Sequence, residues 1–254
     1  MDGKTDQLDA RLAAQATLMM PLHRVRDRRA DETGQALQIL TTSRDQLAGE
    51  RVALINQLTA LVRSHDLGEV ARTKLKTSQI RRIAGWRARQ ETLVTRIARS
   101  EAVRLARRIG DLDAEIKSNQ DQLRELITIA APQLLTLPGV GPVSAAIVLA
   151  AFSQPGRIRT EAGFAKLAGT CPIPASSGNT SRHRLNRFGD RRLNSATHMI
   201  VINRLRIDPK TRDYRDRRIA EGKTPAEVRR CLKRYVTRQL FRVLKSTHQG
   251  LDTL

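Results

Sequence analysis

Aromatic side chains make up only 3% of this 254-residue chain: one Trp, two Tyr and four Phe. A protein that grips single strands by stacking bases on rings needs more of them, so stacking is not its main mode of recognition. Cysteine is equally scarce. Cys171 and Cys231 lie far apart and form neither a Cys-x-x-Cys pair nor a zinc-ligand spacing. That excludes a disulfide framework and predicts reduced cysteines in a cytoplasmic protein. No apolar run approaches the roughly 20 residues that cross a bilayer, so no membrane partner is expected. The opening Met1-Asp-Gly-Lys-Thr-Asp6 has no apolar signal core. Acidic residues are also in short supply, with 25 Asp and Glu against 46 Lys and Arg and a net charge of +21. This balance points to a polyanionic partner, with nucleic acid ahead of a membrane surface.

The excess charge is concentrated. Between Asn179 and Lys245 stand 20 Lys and Arg against 6 Asp and Glu, two thirds of the whole surplus in about a quarter of the chain. Such clustering marks a binding face rather than general solubility. Within it, Pro174-Ala-Ser-Ser-Gly178 leads into arginines at 182, 184, 187, 191 and 192. A serine hydroxyl among fixed guanidinium groups has the chemistry of a nucleophile for a phosphodiester, because arginine neutralises charge that grows as phosphorus is attacked. Arg182, Arg184, Arg187, Arg191 and Arg192 are therefore candidate phosphate contacts. The same residues also fit a flexible loop beside a basic element that holds phosphates without chemistry. His183, between two arginines, reads either as a neutral general base or as a further loop residue.

The pattern along the chain is helical. Residues 1–20 read as a short helix, and Pro21 to Arg29 as a basic connector. Leu40, Leu47, Leu54 and Leu61 recur every seven residues, with Leu37 and Leu58 at the companion positions, predicting a helix over about 34–66. After turn signals around Gly68, a second long helix is predicted over about 79–130, its stripe being Leu93, Ile97, Leu105, Ile109, Leu112, Ile116, Leu123 and Ile127. Two such helices suit an antiparallel hairpin within one chain or a coiled coil that pairs with a second copy. Pro132 and Pro138 end this region. Leu137-Pro-Gly-Val-Gly-Pro142 then has the composition of a helix-hairpin-helix turn. Gly139 and Gly141 allow backbone N–H groups close to a phosphate, and Pro142 suits a helix start. Further helices are expected over Glu161–Ala168, Asp190–Ile207 and Pro225–Leu244, with His198, Met199, Val201 and Ile202 at core positions and Cys171–Pro174 as strand or loop.

Near the start, Asp6 and Asp9 are three residues apart. On a helix both carboxylates share one face and can share a magnesium ion, or they can simply favour a helix N-terminus. A tyrosine recombinase is disfavoured, since neither His183 nor His198 begins a His-x-x-Arg element.

Taken in order, these segments resemble a known family. Lys4-Thr-Asp-x-x-Asp-Ala-Arg-x-x-Ala14 is similar to the last acidic motif of DEDD-type insertion-sequence transposases, which include the Piv/MooV invertases. Leu137-Pro-Gly-Val-Gly-Pro142, Phe164-x-x-Leu-Ala-Gly169, Pro174-x-Ser-Ser-Gly178 and Asn186-Arg-x-Gly-Asp-Arg191 resemble the C-terminal domain of the same family. The resemblance implies a RuvC-like, RNase H-fold domain with four acids holding Mg2+, a coiled-coil segment, and a C-terminal domain with a nucleophilic serine. It implies a structured bridge RNA that pairs with both DNA partners. Asp6 and Asp9 match the two final acids. Ser177 matches the nucleophile, with Ser176 the alternative because the doublet shifts the alignment by one. Only five residues precede Asp6, so the resemblance also implies a truncated form with an incomplete metal site.

The expected fold is therefore mainly α: residues 1–29 as the tail of the RuvC-like domain, 30–131 as the helical coiled-coil segment, and 132–254 as the helical transposase domain. The expected function is DNA transposition or site-specific recombination through a serine, in the bacterial cytoplasm at the nucleoid, with DNA, guide RNA and a second copy as partners. The alternative is a non-catalytic DNA- or RNA-binding dimer.

Overall fold

The computed structural model describes residues 6–21, 32–152, 158–175, 183–184 and 186–251. The chain is mainly helical, as its periodicity implies. The helices are α1 (Asp6–Leu18), α2 (Glu32–Ser64), α3 (Thr77–Ala84), α4 (Leu93–Ala130), α5 (Pro132–Leu135), α6 (Pro142–Phe152), α7 (Glu161–Leu167), α8 (Arg191–Ile207), α9 (Pro209–Ala220) and α10 (Pro225–Leu251). Two short strands, β1 (Ile173–Pro174) and β2 (His183–Arg184), pair antiparallel with Ile173 opposite Arg184 and Pro174 opposite His183. No helix among the described residues is long and apolar enough to cross a membrane. Prolines set several boundaries by starting helices. Pro132, Pro142, Pro209 and Pro225 each open one, where a missing N–H costs nothing.

Helices α2 and α4 form an antiparallel hairpin. Asn119 Nδ2 donates to the Leu40 carbonyl at 3.0 Å, Arg44 to the Ile116 carbonyl at 2.9 Å, and Arg108 meets Glu50 at 3.0 Å. Partner numbers fall along α4 as they rise along α2. Leu37 and Leu58 are wholly buried in the seam, while Leu40, Leu54 and Leu61 flank it half-buried.

Two apolar cores sit at opposite ends of this hairpin. The distal one joins Ile55, Leu58 and Val62 of α2 to Ile80 and Ile83 of α3 and Ala98, Ala102, Leu105, Ala106 and Ile109 of α4. Three alanines at i, i+4 and i+8 leave a shallow groove into which α3 fits. The larger core combines Leu37, Leu123 and Ile127 with Leu134, Val148, Phe152, Phe164, Leu193, Ile200, Val236 and Leu240. Phe152 meets Phe164 and Phe241 edge-on, with centroids 5.8 and 6.0 Å away. The root of the hairpin is thus part of the core that carries α5–α10.

Three expectations need correction. The helix expected over 79–130 is broken between Ala84 and Leu93, because the chain turns at Gly85 and restarts at Thr92, whose hydroxyl caps Thr95 N–H. Leu93 and Ile97 are exposed rather than seam residues, since the alanine face of α4 is the one that meets α3. Met199 is exposed and His198 half-buried, whereas Val201 is buried as expected. Helix α9 was not expected. Its sequence is so dense in charge that its apolar period is faint, and only Thr211 is buried.

Candidate nucleic-acid interface

The motifs of the C-terminal half hold a small scaffold together. Gly189, at φ +97°, lies so close to Leu167 that an added Cβ would come within 2.4 Å of its carbonyl oxygen. The neighbouring turn at Gly169 is equally tight against the Phe188 carbonyl. Only glycine permits both the angle and the approach. Asp190 N–H then donates to the Leu167 carbonyl at 2.7 Å, and its carboxylate caps α8 through Leu193 N–H at 2.9 Å. Asn186 bridges Cys171 Sγ and Phe188 N–H, both at 2.9 Å, and so ties the chain after β2 to the chain before β1. The Asn186-to-Arg191 motif is therefore a folding device that leaves Arg187 and Arg191 exposed.

A cleft of about 420 Å³ opens beside this scaffold. One wall is the base of the β1–β2 hairpin, with Cys171, Pro172, Arg184 and Asn186; the other is formed by α9 and α10. Arg230, Arg234 and Arg238 line it at successive turns of α10, and Arg218 and Lys223 join them. Among the described residues Glu227 is the one acid in the lining, and Arg230 reaches it at 3.9 Å. Arg234 and Arg238 both pair with Glu161 of α7, which orients them. Burial pushes the Glu161 carboxyl up, but hydrogen bonds and charge from Arg234 and Arg238 prevail and its pKa lies below the ordinary value. On the floor, Lys233 Nζ donates to Asn194 Oδ1, and burial lowers the pKa of that ammonium. His198 is lowered as well, by burial first and then by the charges of Lys233 and Arg229. The cleft is an electropositive, partly desolvated surface, suited to phosphate oxygens.

Tyr214 and Tyr235 meet edge-on at 5.5 Å in the same cleft. Burial, aided by nearby Cys231 and Tyr235, pushes the Tyr214 phenol up to about 12. It is protonated at neutral pH, which makes it a poor nucleophile.

The candidate residues from the sequence fall in several places. Ser176, Ser177 and Arg182 lie outside the described residues. They belong to the connection between β1 and β2, whose base lines the cleft. Arg184 lines the cleft directly. Arg192 does a different job: it pairs with Asp45 at 2.8 Å and donates to the Thr42 hydroxyl at 3.2 Å, bracing α8 against α2. Gly139 has φ +75° and sits against α8, where a Cβ would meet the Ile200 carbonyl oxygen at 2.8 Å. Arg204, buried, donates to the Pro138 carbonyl at 2.7 Å and to Gln239, pinning the same turn. Gly141 faces open space. Asp6 and Asp9 lie in the first turn of α1, a helix with no buried residue. Among the described residues no group of three or more His, Cys, Asp or Glu side chains is gathered for a metal.

Arg218, Arg230, Arg234 and Arg238 fall in the Arg-rich stretches Arg212–Arg218 and Arg229–Arg242, whose sequence marks basic outer faces of helices and not a shared cleft. The four-residue spacing of Arg230, Arg234 and Arg238 was the available signal.

Known proteins match this chain along most of its length. A family model described as Transposase IS116/IS110/IS902 family covers residues 131–216, and a second transposase model, of the DEDD type of IS110, covers residues 1–67. The chain is 28% identical to the insertion element IS900 uncharacterized 42 kDa protein of Mycobacterium paratuberculosis, over 96% of this chain and 72% of that protein. It is 26% identical to the insertion element IS116 uncharacterized 44.8 kDa protein of Streptomyces clavuligerus, over 87% of this chain and 66% of the relative. It is 25% identical to the transposase for insertion sequence element IS1328 of Yersinia enterocolitica, over 86% of this chain and 63% of that transposase. Residues 131–216 and 1–67 are thus similar in sequence to transposases of the IS116/IS110/IS902 family.

Proposed function

We propose that this chain is the nucleic-acid-handling part of a DNA transposase or site-specific recombinase that uses Ser177, in the loop between β1 and β2, as its nucleophile. The observation that carries the reading is the basic cleft at the root of that loop. It offers Arg184, Lys223 and Arg230 to phosphate, while Arg234 and Arg238 are oriented by Glu161. In the proposed step Ser177 Oγ attacks phosphorus and forms a phosphoserine ester. The bond from phosphorus to the DNA oxygen breaks, and that oxygen leaves as a hydroxyl with the serine proton. A hydroxyl of the second DNA then attacks the phosphoserine and releases the serine. One phosphodiester is lost and one made, so no ATP is required. Guanidinium groups of the cleft stabilise the extra charge on phosphorus in both steps.

The family resemblance also implies Mg2+ at four acids. Asp6 and Asp9 are two carboxylates on an exposed helix, with no third ligand-type side chain gathered beside them among the described residues. That donor set does not fit a resident magnesium ion, so no step is routed through the metal. Cleavage by the assembled recombinase, guided by a structured RNA and built from more than one copy, is the activity the resemblance implies; cleavage by this polypeptide alone is expected to be weak or absent.

A second reading, a non-catalytic nucleic-acid-binding protein, draws on that same unfit donor set. The two are separated by trapping. A recombinase captures a nicked suicide DNA duplex as an adduct on the Ser177 peptide, lost in Ser177→Ala and kept in Ser176→Ala. An adduct that survives Ser177→Ala contradicts the assignment, and strong binding with no adduct under any metal condition favours the second reading.

A further inference from the structure

The cleft is not the one place where positive charge gathers. Between Gly68 and Arg108 the chain has twelve Lys and Arg against three Asp and Glu. These residues form the distal tip of the α2–α4 hairpin, around the smaller core. Each of the three acids is already matched: Glu69 with Arg82 at 2.6 Å, Glu101 with Arg104 at 2.8 Å, and Glu91 with Arg99 at 2.5 Å. Arg72, Lys74, Arg81, Arg87, Arg89 and Arg96 are exposed. Among the described residues, none of the six side chains donates a hydrogen bond or closes an ion pair. Their charge is left for an outside partner.

The loops that present them are fastened down. Arg63 donates to the Ala71 carbonyl at 2.9 Å, and Gln79 to the Val70 carbonyl at 3.2 Å, fixing the segment before α3. After α3, Arg107 donates to the Ala84 carbonyl at 3.3 Å. Arg99, 6% exposed, makes a two-pronged contact with Glu91 and lies over the Trp86 ring at 4.8 Å from its centroid. The short turn carrying Arg87 and Arg89 is thereby held at both ends by one arginine. A surface held this way loses little freedom when it binds.

We propose that this tip is a second nucleic-acid site, one that takes the sugar–phosphate backbone of a duplex. Charge selects a polyanion, and the aromatic inventory selects backbone over bases. Trp86 is the sole aromatic residue between Gly68 and Arg108, and its face is covered by Arg99. Nothing is left there to stack on a splayed base. Exposed Leu93, Val94 and Ile97 flank Arg96, but a second copy docking there would oppose two tips of the same positive sign. Leu58 stands 21 residues along α2 from Leu37 in the main core. At 1.5 Å per residue the tip lies about 30 Å away. It contacts a different stretch of duplex from the cleft, and it does not depend on the serine chemistry.

The test is the salt dependence of binding to a short fluorescein-labelled DNA duplex of arbitrary sequence. The full chain is compared with a tip variant, Arg81→Gln/Arg87→Gln/Arg89→Gln, and a cleft variant, Arg184→Gln/Lys223→Gln/Arg230→Gln. Each lost phosphate contact reduces the slope of log K against log salt by about 0.9, so the tip variant is expected to lose between about 2 and 3. Its helical circular dichroism is expected to match the parent, because none of the three side chains makes a hydrogen bond or a close ion pair among the described residues, and Arg89 adds only a through-space charge to Glu91, which Arg99 already holds. An unchanged slope overturns the proposal. So does an unchanged slope accompanied by lost binding to anionic lipid vesicles, or by a lower mass in light scattering, which assign the tip to a membrane or to a second copy. If the cleft variant alone loses slope, the tip site fails and the proposed function stands. If the tip variant alone loses it, the reverse holds.

Discussion

Lys233 Nζ donates to Asn194 Oδ1 at 2.5 Å, and the amide of the same asparagine donates to the Ala168 carbonyl at 2.7 Å. One side chain thus joins α10, α8 and the tight turn at Gly169. Asn194→Ala removes both links and leaves a half-buried ammonium without its acceptor. The expected loss is about 2–3 kcal/mol in urea denaturation. Asn194→Asp keeps the acceptor and loses less. Equal losses for the two substitutions would mean that the Lys233 contact contributes nothing.

His198 predicts a pH dependence. Burial and the charges of Lys233 and Arg229 hold its folded pKa below the ordinary 6.5. The unfolded chain therefore binds more protons than the folded one as pH falls below 6.5, and stability falls with it. Above 6.5 both states are neutral and the effect is absent. His198→Gln should flatten the stability curve just below 6.5. The lowered carboxyls of Glu91, Glu161 and Asp208 act in the same direction but only in the more acidic range, below their ordinary values. A His198→Gln curve that still drops between neutrality and that acidic range would exclude histidine as the cause.

Two glycines with similar backbone angles should respond differently to alanine. Gly189 is at φ +97° against the Leu167 carbonyl, and Gly222 is at φ +84° with open space around it. Gly222→Ala carries strain alone, about 1 kcal/mol. Gly189→Ala adds a backbone collision and should cost several kcal/mol or prevent folding. Comparable thermal midpoints for both variants would refute the interlock between the turns at Gly169 and Gly189.

The two cores should also be separable. Trp86, the single tryptophan, reports on the distal tip alone. Ile83 is wholly buried there, so Ile83→Ala is expected to cost about 2–4 kcal/mol locally. Trp86 fluorescence should then unfold at a lower urea concentration than the far-ultraviolet signal, which is dominated by both cores. Coincident transitions would mean that the hairpin transmits stability from end to end.

The parts of this fold legible in the sequence were those set by one element's own period. Leu37 and Leu58 marked the buried face of α2 at the two ends where it meets a core. The break before Leu93 was missed because Ala98, Ala102 and Ala106 give almost no hydrophobic signal, yet they are the residues α3 covers. Helix α9 was missed for a related reason: it contributes little apolar surface and is held by its neighbours α8 and α10. At the candidate site, the basic stretch was legible as charge, but charge does not reveal its partner. Arg184 and Arg192 look alike in sequence; one lines the cleft and the other is tied to Asp45 of α2, a pairing fixed by tertiary packing. Gly139 suited a phosphate-binding turn by composition, and its close contact with α8 emerged only once that helix was in place.

In the proposed function the cleft at the base of β1 and β2 takes DNA phosphate. The most direct measurement is the affinity of the cleft variant Arg184→Gln/Lys223→Gln/Arg230→Gln for a DNA duplex, followed from about 50 to 200 mM salt. The account predicts weaker binding with a slope reduced by about 2 to 3 and an unchanged thermal midpoint. Parental affinity and slope in a folded variant would contradict it.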